Sequence, residues 1–136
     1  MDYQKLLEHR NQANRFTKKL NIQLTDVRPG YAKVEKTVTD DDVNPLGFAH
    51  GGLYYTMADN ACGSAAAAHG IIMVTSNGNF NYFRSAEVGD HLTAEATELK
   101  YGQTLAVYNV AVSDQNGTLL GSGTFTFCTT GTPIKL

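Results

Sequence analysis

Apolar and polar positions divide the chain into a short charged helix, a hairpin, a long uncharged helix and four further strands. Asp2 can cap a helix over residues 3–14, with Leu6, Leu7 and Ala13 on its inner face and charges outside, the pattern of a covering helix. From Ile22 the period changes to two. Residues 22–27 and 31–38 flank Arg28-Pro29-Gly30 and predict a hairpin. In its second strand Ala32, Val34 and Val38 alternate with Lys33, Glu35 and Thr37, while Lys36 interrupts the apolar face. Asp40-Asp41-Asp42 predicts a solvated loop, continued by Asn44-Pro45-Leu46-Gly47, where Pro and Gly discourage regular structure.

Residues 51–69 are rich in Ala and free of Pro, which predicts a helix. Leu53, Met57, Ala61, Ala65 and Ala68 form one apolar arc, extended by Tyr54 and Ala58. The opposite arc, Tyr55, Asp59, Gly63, Ala66 and Ala67, is nearly all small or uncharged, so both sides are expected to be covered. After Gly70, strands are predicted over residues 73–83, 90–101, 103–114 and 118–129, separated by Val88-Gly89-Asp90, Tyr101-Gly102 and Asp114-Gln115-Asn116-Gly117. Alternation is cleanest where Ala106, Tyr108, Val110 and Val112 oppose Leu105, Val107 and Asn109. Regular hairpin spacing makes the sheet mainly antiparallel. About six strands and one buried helix predict a single α+β domain, its sheet wrapped around the helix.

Charge sharpens this picture at one place. The overall balance, 11 basic against 13 acidic residues, carries no bias toward nucleic acid or anionic membrane. Between Asp42 and Arg84, however, the only formally charged side chain is Asp59. The chain-wide frequency would put about seven charges there, so the segment is expected to be kept from water. No apolar run approaches the ~20 residues of a membrane span, and the charged N-terminus lacks a signal-type apolar core. Cys62 and Cys128 are too few for a disulfide scaffold and have no metal-ligand spacing. These features predict a cytoplasmic protein with neither metal nor cofactor.

Two features carry candidate chemistry. Residues 44–52 run from loop into helix and end in His50-Gly51-Gly52. A helix start offers unpaired N–H groups and partial positive charge, and Gly51 and Gly52 allow close approach of a substrate. That suits an acyl oxyanion or a phosphate, although the glycines alone describe an ordinary helix start better, since the string matches neither the P-loop nor the dinucleotide fingerprint. The second feature is Asp59. A carboxylate on an uncharged helix must be solvated, paired or protonated, and burial would favour its use as a base. Asp59 follows Gly51 by eight residues, or about 12 Å of helix. Since base and oxyanion donors must both lie within ~3 Å of the reacting atoms, the two can serve one carbonyl only if they come from different chains. The expectation is a two-fold homodimer with composite sites. A tetramer of two such dimers is compatible with it.

The string His50-Gly51-Gly52, preceded by Asn44 and followed by Asp59-Asn60, resembles the hotdog thioesterases of the phenylacetic-acid-degradation type. The likeness continues through Asn79-Phe80-Asn81-Tyr82-Phe83-Arg84-Ser85-Ala86, Gly89-Asp90 and Gly121-Ser122-Gly123, and covers nearly the whole chain beyond Ile22. It implies a hotdog fold and hydrolysis of an acyl-CoA thioester. It further implies that the Gly51 amide holds the thioester carbonyl and that Asp59 of the partner chain is nucleophile or water-activating base. Asn44 would orient the water or the acid, His50 would hold the thioester end, and Thr75 would help position water.

The remaining candidates are weaker. Thr75, Asn77, Asn79 and Asn81 are spaced by two and are expected to share one face of their strand. Gly78 allows close backbone approach, at a subunit junction in this reading. Arg84 and Lys100 are candidate contacts for CoA phosphates, and Tyr54, Tyr55, Met57 and Phe48 could line an acyl pocket or simply form core. His9, His69 and His91 are scattered without metal spacing. Ser64, in an Ala-rich helix, reads as packing. Two other readings stay open on the residues: a non-catalytic acyl-CoA sensor, and an acyl-thioester dehydratase or hydratase built on His50 and Asp59.

Overall fold

The computed structural model describes all 136 residues. Helices α1 (Tyr3–Ala13) and α2 (Arg15–Lys19) precede strands β1 (Gln23–Arg28) and β2 (Tyr31–Thr37). A single 3-10 turn (Asp40–Asp42) leads to the long helix α3 (Gly51–Ala67). Strands β3 (Ile71–Tyr82), β4 (His91–Tyr101), β5 (Leu105–Ser113) and β6 (Leu119–Pro133) complete the chain. All six strands form one antiparallel sheet in the order β1-β2-β4-β5-β6-β3. The sheet curls around α3, whose Leu53, Met57, Ala58, Ala61, Cys62 and Ala65 are buried against Val34, Leu92, Ala94, Tyr108 and Phe125. This is the α+β architecture expected from the pattern and from the resemblance. Small side chains on α3 let the sheet close tightly over it.

Four local expectations are corrected. The first helix ends one residue early because Asn14 both closes α1 and caps α2, its side chain accepting from the Thr17 amide. An Asn that can cap interrupts a helix more readily than it extends one. Secondly, the acid triplet is not simply solvated. Asp42 is buried, closes a capping box with Thr39, and pairs with Lys36 at 3.0 Å, each side chain only 3% exposed. Lys36 therefore does not break the apolar face; it is a core position whose charge is met from the neighbouring loop. Burial alone would raise the Asp42 carboxyl, but the Thr39 amide and Lys36 hold it below the ordinary carboxylate value.

Thirdly, Thr75 does not share a face with Asn77, Asn79 and Asn81. Thr75 pairs with Phe127 and Asn77 with Thr126, so Ser76 is an extra residue in a β-bulge. Before it, odd positions face α3; after it, even positions do. Thus Met73 and Thr75 point inward, then Phe80 and Tyr82, and Asn77, Asn79 and Asn81 lie on the outer face with Thr124 and Thr126. Gly121 and Gly123 on β6 make room for this arrangement, since a Cβ on either would collide with the backbone carbonyls of β3 and with Phe80. Lastly, the uncharged segment is not uniformly hidden within one chain. Helix α3 is, but β3 is an edge strand paired only with β6, and Val74 is 53% and Tyr82 52% exposed.

Candidate functional site

Helix α3 begins at a sharp change of backbone direction. His50 is its cap, extended at φ −63° and ψ 137°, and its Nδ1 accepts the Gly52 N–H at 2.8 Å. Nδ1 must then be unprotonated, so the ring presents its Nε2 face outward. The Gly51 N–H makes no hydrogen bond within the chain, which leaves it as a free donor at the positive end of the helix. Gly51 lies beneath Tyr82; a Cβ there would stand 3.2 Å from that ring. Around it, Ala49, Tyr54, Tyr82, Phe83, Arg84 and Ser85 line a depression of about 300 Å³. Tyr54 donates to the Arg84 carbonyl at 3.1 Å, and burial pushes its phenol up to about 12, so it is a structural brace rather than a proton carrier. Asn44 shapes the approach to the helix: its Oδ1 accepts the amides of Leu46 and Phe48 at 3.0 and 3.2 Å, leaving its NH₂ group to donate elsewhere.

Asp59 lies two turns further along α3, in a separate groove of about 600 Å³. Thr75 donates to its Oδ1 at 2.7 Å, and no hydrogen bond within the chain uses Oδ2. Thr75 is the last residue of β3 to face the helix before the bulge at Ser76. Arg10, unremarked among the charges of α1, also reaches this groove. Its Nε donates to Ser64 Oγ at 2.8 Å and its Nη2 to Asn60 Oδ1 at 3.5 Å. Gly63, one turn beyond Asp59, leaves space for the guanidinium, whose Nη2 would be 3.5 Å from a Cβ there. Burial lowers the Arg10 guanidinium below its usual value, and the Asp59 charge opposes that shift. The signal was present in the sequence: Arg10 follows Leu6 by four and so shares its inward face. Ser64 is likewise more than packing, because it passes a hydrogen bond from Arg10 to the Asn60 carbonyl.

The other candidates are distributed unevenly. Tyr55 packs on Phe125 and sets its hydroxyl against Gly78, where any Cβ would overlap it; the close approach expected at Gly78 is therefore made to α3. Arg84 stands with Gly51 and Gly52 at the helix start. Lys100 does not: it adjoins Tyr101, whose ring stacks on His69 at 3.7 Å beyond the other end of α3. Asn77 is excluded from both cavities by facing outward. Met57 is core, and Cys62 is inert, since burial, reinforced by Asp59, pushes its thiol well above the usual range. Within one chain the free Gly51 amide and the Asp59 carboxylate thus line separate cavities on different portions of one helix.

Comparison with known proteins bears on the family and the fold. Residues 46–120, from the loop before α3 to β6, match the model of the thioesterase superfamily. Acyl-coenzyme A thioesterase PaaI of Escherichia coli is 32% identical over 98 residues, 72% of this chain and 70% of that protein. Human acyl-coenzyme A thioesterase 13 is 32% identical over 108 residues, 77% of each chain. Matches to proteins of Archaeoglobus fulgidus and Deinococcus radiodurans span 66% and 68% of their lengths. Among solved structures, the E. coli PaaI protein superposes with a TM-score of 0.88 at 25% identity, covering 98% of this chain and 99% of that one. The smu.793 protein of Streptococcus mutans, bound to acetyl CoA, gives 0.80 at 31% identity, covering 84% and 92%. Helix, sheet order and the stretch carrying Gly51 and Asp59 all fall within these matches, and the chain belongs to the thioesterase superfamily, among its hotdog members of the PaaI type.

Proposed function

We propose that the protein is an acyl-CoA thioesterase that works as a two-fold homodimer, each site joining Gly51 of one protomer to Asp59 of the other. One observation carries the reading: the free Gly51 amide and the Thr75-oriented Asp59 carboxylate are about 12 Å apart along one rigid helix, while β3 beside them has an unpaired edge. An unpaired strand edge invites pairing with a second copy, and antiparallel β3–β3 pairing would bring the two halves together. In that site the thioester carbonyl accepts the Gly51 N–H. In one route Asp59 Oδ2 takes a proton from the water that attacks the carbonyl carbon, the C–S bond breaks, and that proton passes to the departing CoA thiolate. In the other Oδ2 itself attacks, the C–S bond breaks to leave an acyl-aspartyl anhydride, and water hydrolyses the anhydride to the free acid, restoring the carboxylate and supplying the thiolate's proton. His50 Nε2 and the Asn44 NH₂ group are the donors that hold the thioester end and the water, and Thr75 keeps Asp59 in place. Arg84 is the basic residue best situated to meet a CoA phosphate. No helix of the chain is long and apolar enough to cross a membrane, and with both cysteines unpaired we assign the reaction to the cytoplasm.

Subunit complementation tests the composite site. Gly51→Pro removes the amide donor at the first helical position, where Pro is well tolerated and where His50 already has the extended backbone that a following Pro requires. Losing such a donor costs about 10²–10³ in kcat. Asp59→Asn removes the carboxylate. Each homodimer should be nearly inactive, whereas a randomised mixture of the two should recover about a quarter of wild-type activity, because half the dimers are mixed and each has one intact site. A mixture no more active than its components would overturn the shared site. Turnover by a demonstrated monomer would do the same.

A further inference from the structure

The groove beside Asp59 is more specific in its chemistry than an apolar acyl pocket requires. Leu6, Phe16, Met73 and Phe127 supply apolar walls, yet Arg10, Lys135 and His9 also line it, and Asp59 is its only acid. Arg10 is the notable member. A guanidinium carries five N–H donors, and here only Nε and one Nη2 hydrogen bond are used. Nη1 has no partner in the chain; since no fully buried polar side-chain atom of the protein is unpartnered, Nη1 is not sealed off, and the residue that carries it lines the groove. A desolvated cation with spare donors favours an anionic oxygen over a methyl group. The C-terminal tail adds to this field: Ile134 donates to the Gly70 carbonyl and so fixes Lys135 at the rim.

We propose that this groove selects acyl groups ending in a second carboxylate, which Arg10 receives through Nη1. This inference rests on the thioesterase reading, since it takes the thioester carbonyl to lie at Asp59. The spacing supports it. The guanidinium sits over Gly63, four residues and therefore about 6 Å along α3 from Asp59. A carboxylate separated from the thioester carbon by three methylenes spans a similar distance, about 5–6 Å by ordinary bond lengths. A glutaryl-like half-thioester fits the two charges in turn: its carbonyl at Asp59, its free carboxylate at Arg10.

The test compares glutaryl-CoA with pentanoyl-CoA, which have equal carbon number and differ in a carboxylate against a methyl. Wild type is expected to prefer glutaryl-CoA by about tenfold or more in kcat/KM. Arg10→Met should abolish that preference, and Arg10→Lys should retain part of it. If wild type shows no preference, or if Arg10→Met weakens both substrates equally, the inference fails; the second result would make Arg10 a brace for α1 or a contact for CoA itself. Calorimetric binding of the two thioesters to Asp59→Asn gives the same comparison without turnover. Should wild type hydrolyse neither compound, the ratio of the two Kd values still decides the carboxylate site, while the thioesterase reading is decided by a wider panel of aryl and alkyl CoA thioesters.

Discussion

Asp59→Asn is expected to lower kcat on acyl-CoA thioesters by about 100-fold or more while leaving fold and oligomeric state unchanged. Asparagine matches the shape of the carboxylate and can still accept the Thr75 hydroxyl at the position of Oδ1. What it lacks is a negative oxygen at the Oδ2 position, the one left free to attack or to accept a proton. Because the substitution keeps the side chain's shape and leaves the Gly51 amide and the other groove walls intact, KM should change far less than kcat, which separates lost chemistry from lost binding. Release of free thiol from a panel of aryl and alkyl CoA thioesters measures the effect, with analytical ultracentrifugation as the control on assembly. Undiminished turnover by the variant would remove Asp59 from the chemistry. A wild type that binds these thioesters and releases no thiol would favour the sensor or dehydratase reading.

The second large effect concerns stability. Lys36→Met should cost about 3–5 kcal/mol at neutral pH, because it strands a buried carboxylate whose partner is gone. The Lys36–Asp42 pair is nearly sealed from solvent, so the weak energies of surface ion pairs do not apply. The Thr39 amide and hydroxyl remain to Asp42 and limit the damage. Urea denaturation at pH 7 checks the magnitude. The pH dependence supplies a second handle. The folded Asp42 carboxyl titrates below its unfolded value, so its contribution is fully present above about pH 4 to 5 and is lost as pH falls through the lower folded value. Wild type should therefore lose part of its stability advantage over Lys36→Met on acidification. A difference of under 1 kcal/mol at pH 7 would mean that water reaches the pair.

Much of the architecture was legible because each element declares its period. Helix α3 stood out by its alanines, and the regular spacing between predicted turns outlined the hairpins of β4, β5 and β6 to within one or two residues, apart from the last strand, which runs on to Pro133. Three things were not legible, each for a physical reason. Whether Lys36 breaks a strand or sits in it depends on a partner five residues past the strand's end, and local pattern cannot see tertiary pairing. The orientation of Asn77 depends on a bulge, which changes parity without leaving a marker residue. Arg10 was masked because a charged side chain on an amphipathic helix is ordinarily read as solvated, whereas its long stem allows it to cross the helix surface and bond to α3.

The bulge at Ser76 has a consequence for how such a chain tolerates insertion and deletion. Removing Ser76 would join Thr75 to Asn77 in unbroken alternation, with Thr75 still opposite Phe127 and Asn77 still opposite Thr126. The ladder would lose no partner, and the inner and outer faces of β3 would keep their residues. Only the local kink beside Thr75 would disappear, and with it the close fit of the Thr75 hydroxyl to Asp59, now 2.7 Å. A one-codon deletion here would pass a screen for soluble, folded protein and fail a screen for turnover, so genetic selection alone separates what this residue does for the fold from what it does for the reaction.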